Sequence, residues 1–444
     1  MAKKTKDSNL SIEERLEQAL IPNWDEPYKL PTNWCWVKLS AVCSLENGEK
    51  SSEKDLVYLD AKTLRGIAGP QTRNRGIIVN KNQKVILVDG ENSGEVFVVP
   101  YRGYKGSTFK IINIANNTDE MYIRYFIDQN REKLRNNKVG SAIPHLNKEL
   151  FFNLQLPFPP LNEQKRIVSH IEVLFAKLDE AKEKAQEVAD GFETRKAAIL
   201  HKAFSGELTA KWREENGVSK NAWTTRKINQ VCNPRAGYAF DSKKFTNAGY
   251  QIIRMGNLYG GILDLSRNPV FTSAADIDDA ILKRSLVNDG DILITLTGTK
   301  YKRDYGYAVC IRNPHNLLVN QRILCLSPKL NEITTDYLLY YLQSDIFRDV
   351  FFSNETGGVN QGNVSSKFVE NIQFDVPSYR EQEEIGYILR SILEKEYQAK
   401  EVVETVITQI DSMKKAILAR AFRGELGTND PNEESALELL KQII

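Results

Sequence analysis

The chain has 444 residues, with 60 Lys+Arg against 58 Asp+Glu, 41% hydrophobic residues and 27% charged ones. Such a length calls for about three domains, and the balance is that of an ordinary globular protein. No apolar run approaches the ~20 residues of a membrane helix, and Met1-Ala-Lys-Lys-Thr-Lys precedes no apolar signal stretch, so the expected setting is the cytoplasm.

The five cysteines (Cys35, Cys43, Cys232, Cys310 and Cys325) are scattered and never spaced C-x-x-C. They read as reduced thiols, with no disulfide or zinc role. In chain order, residues 1–30 form an N-terminal helical extension. Residues 31–155 then alternate short strand-like runs (Trp36-Val-Lys-Leu-Ser-Ala-Val42-Cys43, Lys84-Val-Ile-Leu-Val, Glu95-Val-Phe-Val-Val) with glycines. A tyrosine-rich helix follows, Glu120-Met-Tyr-Ile-Arg-Tyr-Phe-Ile. This is an α+β domain.

Residues 156–218 are of another kind. Leu156-Pro-Phe-Pro-Pro cannot be helical, and the stretch after it places Ile167, Ile171, Leu174, Leu178, Ala181, Ala185, Val188, Phe192 and Ile199 at alternating spacings of 4 and 3, with Arg195 the one polar occupant. That is a coiled-coil seam, stopped at Gly206. Residues 219–373 repeat the first pattern: Trp223 to Val231-Cys232, strands at Asp291-Ile-Leu-Ile-Thr and Tyr307-Ala-Val-Cys-Ile, and a helix at Thr335-Asp-Tyr-Leu-Leu-Tyr-Tyr-Leu. Residues 374–426 repeat the coil at a constant offset of 218, with Ile385, Leu389, Ile392, Ala399, Val403, Val406, Ile410, Met413 and Ile417 on the seam and Glu396 its one break. The segment 427–444 is an acidic tail.

A repeat of half the chain dictates the architecture. The expected fold is α+β: two α+β domains joined by two long coiled-coil helices of about 60 Å each, antiparallel, with pseudo-two-fold symmetry. The slight net charge of +2 is unevenly spread. Residues 31–155 hold 18 Lys+Arg against 13 Asp+Glu and residues 219–373 hold 18 against 14, while both coil segments are neutral to acidic. Positive charge on the two domains suits a polyanion partner.

The candidate contacts lie on glycine-flanked polar loops. In the first domain they are Arg65, Arg73, Arg75, Arg102, Tyr104 and Lys105; in the second, Arg254, Lys300, Tyr301, Lys302, Arg303, Tyr305, Gln321 and Arg322. Arg pairs bidentately with guanine, Asn and Gln with adenine, and Lys reaches phosphates. Chemistry is missing: there is no phosphate loop, no H-E-x-x-H, no Asn-Pro-Pro-Tyr for amino-methylation, and the four histidines stand apart. A binding and scaffolding protein without catalysis, metal or cofactor is expected.

Two variable regions, each followed by a helix opening on Glu163-Gln164 or Glu381-Gln382 and closing on Ala203-Phe204-Ser-Gly206-Glu207-Leu208 or Ala421-Phe422-Arg-Gly424-Glu425-Leu426, resemble the DNA specificity subunit of Type I restriction-modification systems. The likeness spans residues 30–426 and departs at Ser378-Tyr379-Arg380, where the first copy has Pro160-Leu161-Asn162. It implies two target recognition domains reading a bipartite double-stranded DNA site, with helices that set the spacer. It also implies assembly with two methyltransferase subunits and with ATP-driven restriction subunits, which bring S-adenosylmethionine, ATP and magnesium. The alternative is a coiled-coil adaptor whose globular heads bind proteins.

Overall fold

A computed structural model describes residues 10–140 and 144–444. Residues 1–9 of the expected N-terminal extension, and residues 141–143 of the loop after Gly140, lie outside the described residues. The chain divides into two units: residues 1–185 with 405–444, and residues 186–404.

In the first unit, a four-stranded antiparallel sheet has the order Cys43–Glu46, Phe109–Ile114, Lys84–Leu87, Val96–Val98. The strand Lys84–Leu87 is buried along its whole length because both of its faces are covered. Ile86 and Ile112 point into a core shared with the helix Glu120–Gln129, while Val85, Leu87, Phe109 and Ile111 point into a second core. The period of two thus serves two cores at once. Beyond the second core lies a five-stranded sheet ordered Lys50–Ser51, Gly76–Val79, Gly103–Lys105, Leu56–Leu59, Gln71–Arg73. The run from Trp36 to Cys43 is not one strand. A single turn at Leu39–Ala41 breaks it, so Cys35–Lys38 pairs with Gln155–Phe158 while Cys43–Glu46 enters the main sheet.

The second unit repeats this plan. Its four-stranded sheet runs Cys232–Ala236, Ile323–Pro328, Ile292–Thr295, Ala308–Cys310. Ile292, Ile294, Leu324 and Leu326 face one core, and Leu293, Val309, Ile323 and Cys325 the other. Thr224–Lys227 pairs with Gln373–Val376, as Cys35–Lys38 does with Gln155–Phe158. All five cysteines are free thiols, and burial pushes Cys43, Cys232 and Cys325 up to about 12.

The first long helix is Leu161–Asp190 followed, after Gly191, by Phe192–Phe204; the second is unbroken over Tyr379–Phe422. They run antiparallel: Asp179 pairs with Lys414 and Lys182 with Asp411 in the first unit, and Arg195 with Glu396 (2.9 Å) in the second. The two polar interruptions of the seams are therefore each other's partners. The seam is uneven. Ile167, Ile171, Ile385 and Leu389 are buried against the sheet-bearing cores, whereas Val188, Val406 and Met413 remain 47%, 38% and 50% exposed. Two helices without a third neighbour cannot enclose every a/d side chain.

The repeated motifs are anchors at the ends of these helices. In each unit a buried glutamine donates to the proline carbonyl before its own helix and accepts the amide capping the tyrosine-rich helix. Gln164 bonds Pro159 (2.9 Å) and Asp119 (2.9 Å); Gln382 bonds Pro377 (3.0 Å) and Thr334 (2.8 Å). The neighbouring glutamates are fully buried. Glu381 accepts from Arg213 (2.6 Å), Thr209 (2.8 Å) and Trp223 (3.0 Å). Glu163 accepts from Thr428 (2.6 Å) and Arg166 (2.7 Å), and Arg166 in turn holds Glu433 (2.7 Å). The motif phenylalanine closing the opposite helix packs on the same tyrosine helix: Phe422 on Tyr122 and Phe126, Phe204 on Tyr337 and Tyr341. Each unit thus uses the opening of one long helix and the closing turn of the other.

The acidic tail is folded. Its helix Ala436–Ile443 buries Ala436 and Leu440 in the first core, beside the helix Ile12–Ala19.

Candidate nucleic-acid interface

In the second unit, Asn320-Gln321-Arg322 link the parallel strand Leu317–Val319 to the central strand Ile323–Pro328. Their backbone is pinned, since Gln321 donates to Tyr238 (2.9 Å) and the Arg322 carbonyl accepts from Leu296 (3.0 Å). Both side chains are exposed, and neither has a hydrogen bond or ion pair among the described residues. Two concave surfaces meet on them. One is walled by Arg254, Arg267, Asn268 and Asn320; the other by Gly357, Gly358, Gln361 and Asn363. Gln321 and Arg322 line both, so the surface is one groove floored by amides and edged by three guanidinium groups. Arg254 is half-buried and tied to the Asn268 carbonyl (2.7 Å), and Arg267 lies over the Tyr259 ring. Such a groove presents bidentate donors, amide donor–acceptor pairs and uncompensated positive charge, the set that reads base edges and phosphates.

The loop Gly298–Gly306 adjoins it through the strand pair Thr297–Gly298 with Gly362–Asn363. Lys302 is exposed and unpaired among the described residues, and Tyr301 is 81% exposed with Lys300 beside its ring. Arg303 is partly spent on Asp349 (2.6 Å). Tyr305 departs from expectation. It is buried, its hydroxyl donates to Glu355 (2.7 Å), and burial together with that carboxylate raises its pKa. It supports the loop from beneath.

In the first unit, Arg73 sits on Gln71–Arg73, the outer strand of the five-stranded sheet, with its guanidinium 3.3 Å from the centroid of the Tyr58 ring. Arg75 follows in the turn, exposed and without a partner among the described residues. Arg102 is exposed but held by Glu53 (2.8 Å) and Asn80 (3.2 Å), and Arg65 is paired with Glu95. Tyr104 and Lys105 are corrections. They occupy the middle strand of the sheet and are buried. The Tyr104 hydroxyl donates to the Glu53 carbonyl (2.7 Å) and the Lys105 ammonium to the Phe109 carbonyl (2.7 Å), while burial and then Lys110 depress the lysine pKa.

In the second unit the expected residues fall into one groove with its adjoining loop; in the first only Arg73 and Arg75 come together, on the outer strand and its turn, while Arg65, Arg102, Tyr104 and Lys105 lie elsewhere and are paired. Arg267, Asn268, Asn320, Gln361 and Asn363 were not among the expected residues. A signal existed for part of this set: Val319-Asn320-Gln321 recurs as Val359-Asn360-Gln361, beside glycine in the second case.

Residues 31–189 and 220–405 match the family model described as the Type I restriction modification DNA specificity domain. The chain is 26% identical to the Type I restriction enzyme MjaVIII specificity subunit of Methanocaldococcus jannaschii, over 91% of this chain and 95% of that one. It is 23% identical to the EcoBI specificity subunit of Escherichia coli, over 93% and 92%. Among solved structures, a chain from work on complex assembly and conformational transition of the type I R-M system superposes with a TM-score of 0.69 at 20% identity, covering 90% of this chain and all of that one. The HsdS subunit from Thermoanaerobacter tengcongensis gives 0.54, also at 20% identity, with the same coverage. Family-model coverage of most of the chain, agreement along nearly the full length of the relatives and a shared fold lead to one statement: the chain belongs to the DNA specificity subunits of Type I restriction-modification systems.

Proposed function

We propose that this chain is the sequence-reading, non-catalytic subunit of its complex, with residues 31–155 and 219–373 each a target recognition domain for one half of a bipartite double-stranded DNA site. The long helices 156–218 and 374–426 set the spacer and dock two methyltransferase subunits, and restriction subunits join that assembly in the cytoplasm. The chain holds no cofactor of its own; S-adenosylmethionine, ATP and magnesium belong to the partners. The observation that carries this reading is the groove around Gln321 and Arg322, where side chains suited to base edges are left unpaired by the fold. In the first domain Arg73 and Arg75 play the corresponding part.

Arg322→Ala tests it. If Arg322 contacts a base, selection at one position of one half-site relaxes by about 1–3 kcal/mol while the other half-site is read unchanged. Methylome sequencing of cells carrying the variant with its methyltransferase reports both halves at once. Binding that is indifferent to salt would refute DNA as the partner, because phosphate contacts lose affinity steeply with salt; a protein-binding adaptor predicts that indifference.

A further inference from the structure

Two loops of the second unit are locked into one platform. Thr297–Gly298 pairs with Gly362–Asn363, and Thr356 bridges to Asn363. The Lys300 ammonium donates to the Gly357 carbonyl (3.1 Å), while Glu355 accepts from the Tyr301 amide (3.2 Å) and the Tyr305 hydroxyl (2.7 Å). Tyr301 and Arg303 stand at φ +65° and +53°, left-handed positions that cost a non-glycine residue about 1–3 kcal/mol each. Gly357 has φ +117°, and a Cβ there would lie 2.0 Å from the Gln361 carbonyl oxygen. The turn is therefore closed to any other residue. This fixed scaffold presents an apolar side chain, Val359, at 93% exposure, with the Tyr301 ring at 81% on the partner loop.

A lone exposed valine needs no explanation. Here it tops a glycine-rich turn held in place by a strained neighbour, alongside the groove that contains Arg322 and Gln321. We infer that Val359 is a wedge: when the groove engages duplex DNA, the valine enters between two stacked base pairs and the Tyr301 ring packs against the opened step. Apolar insertion of this kind unstacks one step and bends the duplex, at a cost of a few kcal/mol returned by the larger contact the bend allows. The flanking Lys300 and Lys302 supply the phosphate contacts that hold the bent backbone. The first unit's loop at the same offset includes residues outside the described set, so the inference concerns the second half-site alone.

This inference rests on the DNA-reading role proposed above, and the experiment separates the two. The full-length chain, assembled with its methyltransferase subunits, is bound to duplexes carrying 2-aminopurine at each step of the second half-site in turn, the methylated adenine excluded. The expected result is a several-fold fluorescence rise at one step. Val359→Ala abolishes it and Val359→Phe preserves or enlarges it, while affinity changes by less than about tenfold. Because residue 359 is almost fully exposed, both variants fold. Specific DNA binding with no enhanced step, or an enhancement unchanged in Val359→Ala, overturns the wedge and leaves the reading role intact. Absence of specific DNA binding in the unmodified complex overturns both.

Discussion

Replacing Glu381 by alanine probes the anchor on which the second unit depends. The carboxylate is fully buried, and it receives the Arg213 guanidinium (2.6 Å), the Thr209 hydroxyl (2.8 Å) and the Trp223 indole (3.0 Å). Alanine strands the Arg213 cation, itself only 7% exposed, and leaves two further donors short of an acceptor. Breaking a buried ion pair from one side costs about 3–5 kcal/mol, and each orphaned donor about 1–3 kcal/mol if it cannot turn to water. Since the three share one acceptor they do not add, and about 3–5 kcal/mol is the expected loss. With a urea m-value of about 3 kcal/mol/M, the midpoint falls by roughly 1–1.7 M. Tryptophan fluorescence follows it directly because Trp223 is one of the partners. Adding Arg213→Met to a Glu381→Leu background removes both charges and should recover most of the loss, since apolar pairs of similar volume replace buried ion pairs at little cost. A midpoint shift under roughly 0.3 M for the single variant, or a double variant no better than the single, would show that the buried glutamate is not an anchor.

Two further outcomes can be measured. Burial pushes the Asp128 carboxyl up to about 6 despite Arg124 and Arg131, so between about pH 4 and pH 6 the folded state holds a proton that the unfolded state has released. Stability contributed by this group therefore falls as pH rises through that window, and Asp128→Asn should flatten the slope and gain up to about 2–3 kcal/mol at pH 8, measured by urea unfolding across pH. Gly424 and Gly206 both close a long helix at positive φ, but a Cβ at 424 meets the Pro31 ring at 2.6 Å, whereas at 206 it meets only the flexible end of Lys220 at 3.0 Å. Gly424→Ala should cost more than Gly206→Ala, which carries only the backbone penalty of about 1–2 kcal/mol; equal melting shifts would contradict the steric reasoning.

The long helices were legible in the sequence because a seam of period 3.5 does not depend on what lies around it. Their antiparallel pairing was legible too, but not its residue register: Arg195 and Glu396 look like two separate flaws until that register brings them together. The strands at Lys84–Leu87 and Ile292–Thr295 announced themselves as apolar runs, since two-sided burial removes alternation. The loops were harder. Tyr104 and Lys105 have the composition of an exposed loop, yet they lie in a middle strand, and only the order of strands in the sheet decides that. The charge count of the acidic tail says nothing of Ala436 and Leu440, which pack in the first core.

The exchange of helix ends between the units has a consequence for the order in which they are made. The second unit is one uninterrupted stretch, residues 186–404, and its glutamate anchor closes on Thr209 and Arg213, both synthesised earlier. The first unit is interrupted: Glu163 waits for Thr428, and its tyrosine helix waits for Phe422. A growing chain can therefore finish the second core while the first still lacks a wall, the reverse of the usual amino-terminal precedence. Until residues 405–444 arrive, the pocket for Phe422 between Tyr122 and Phe126 stands open. A nascent or nicked chain is thus vulnerable in its amino-terminal half first, although that half left the ribosome long before.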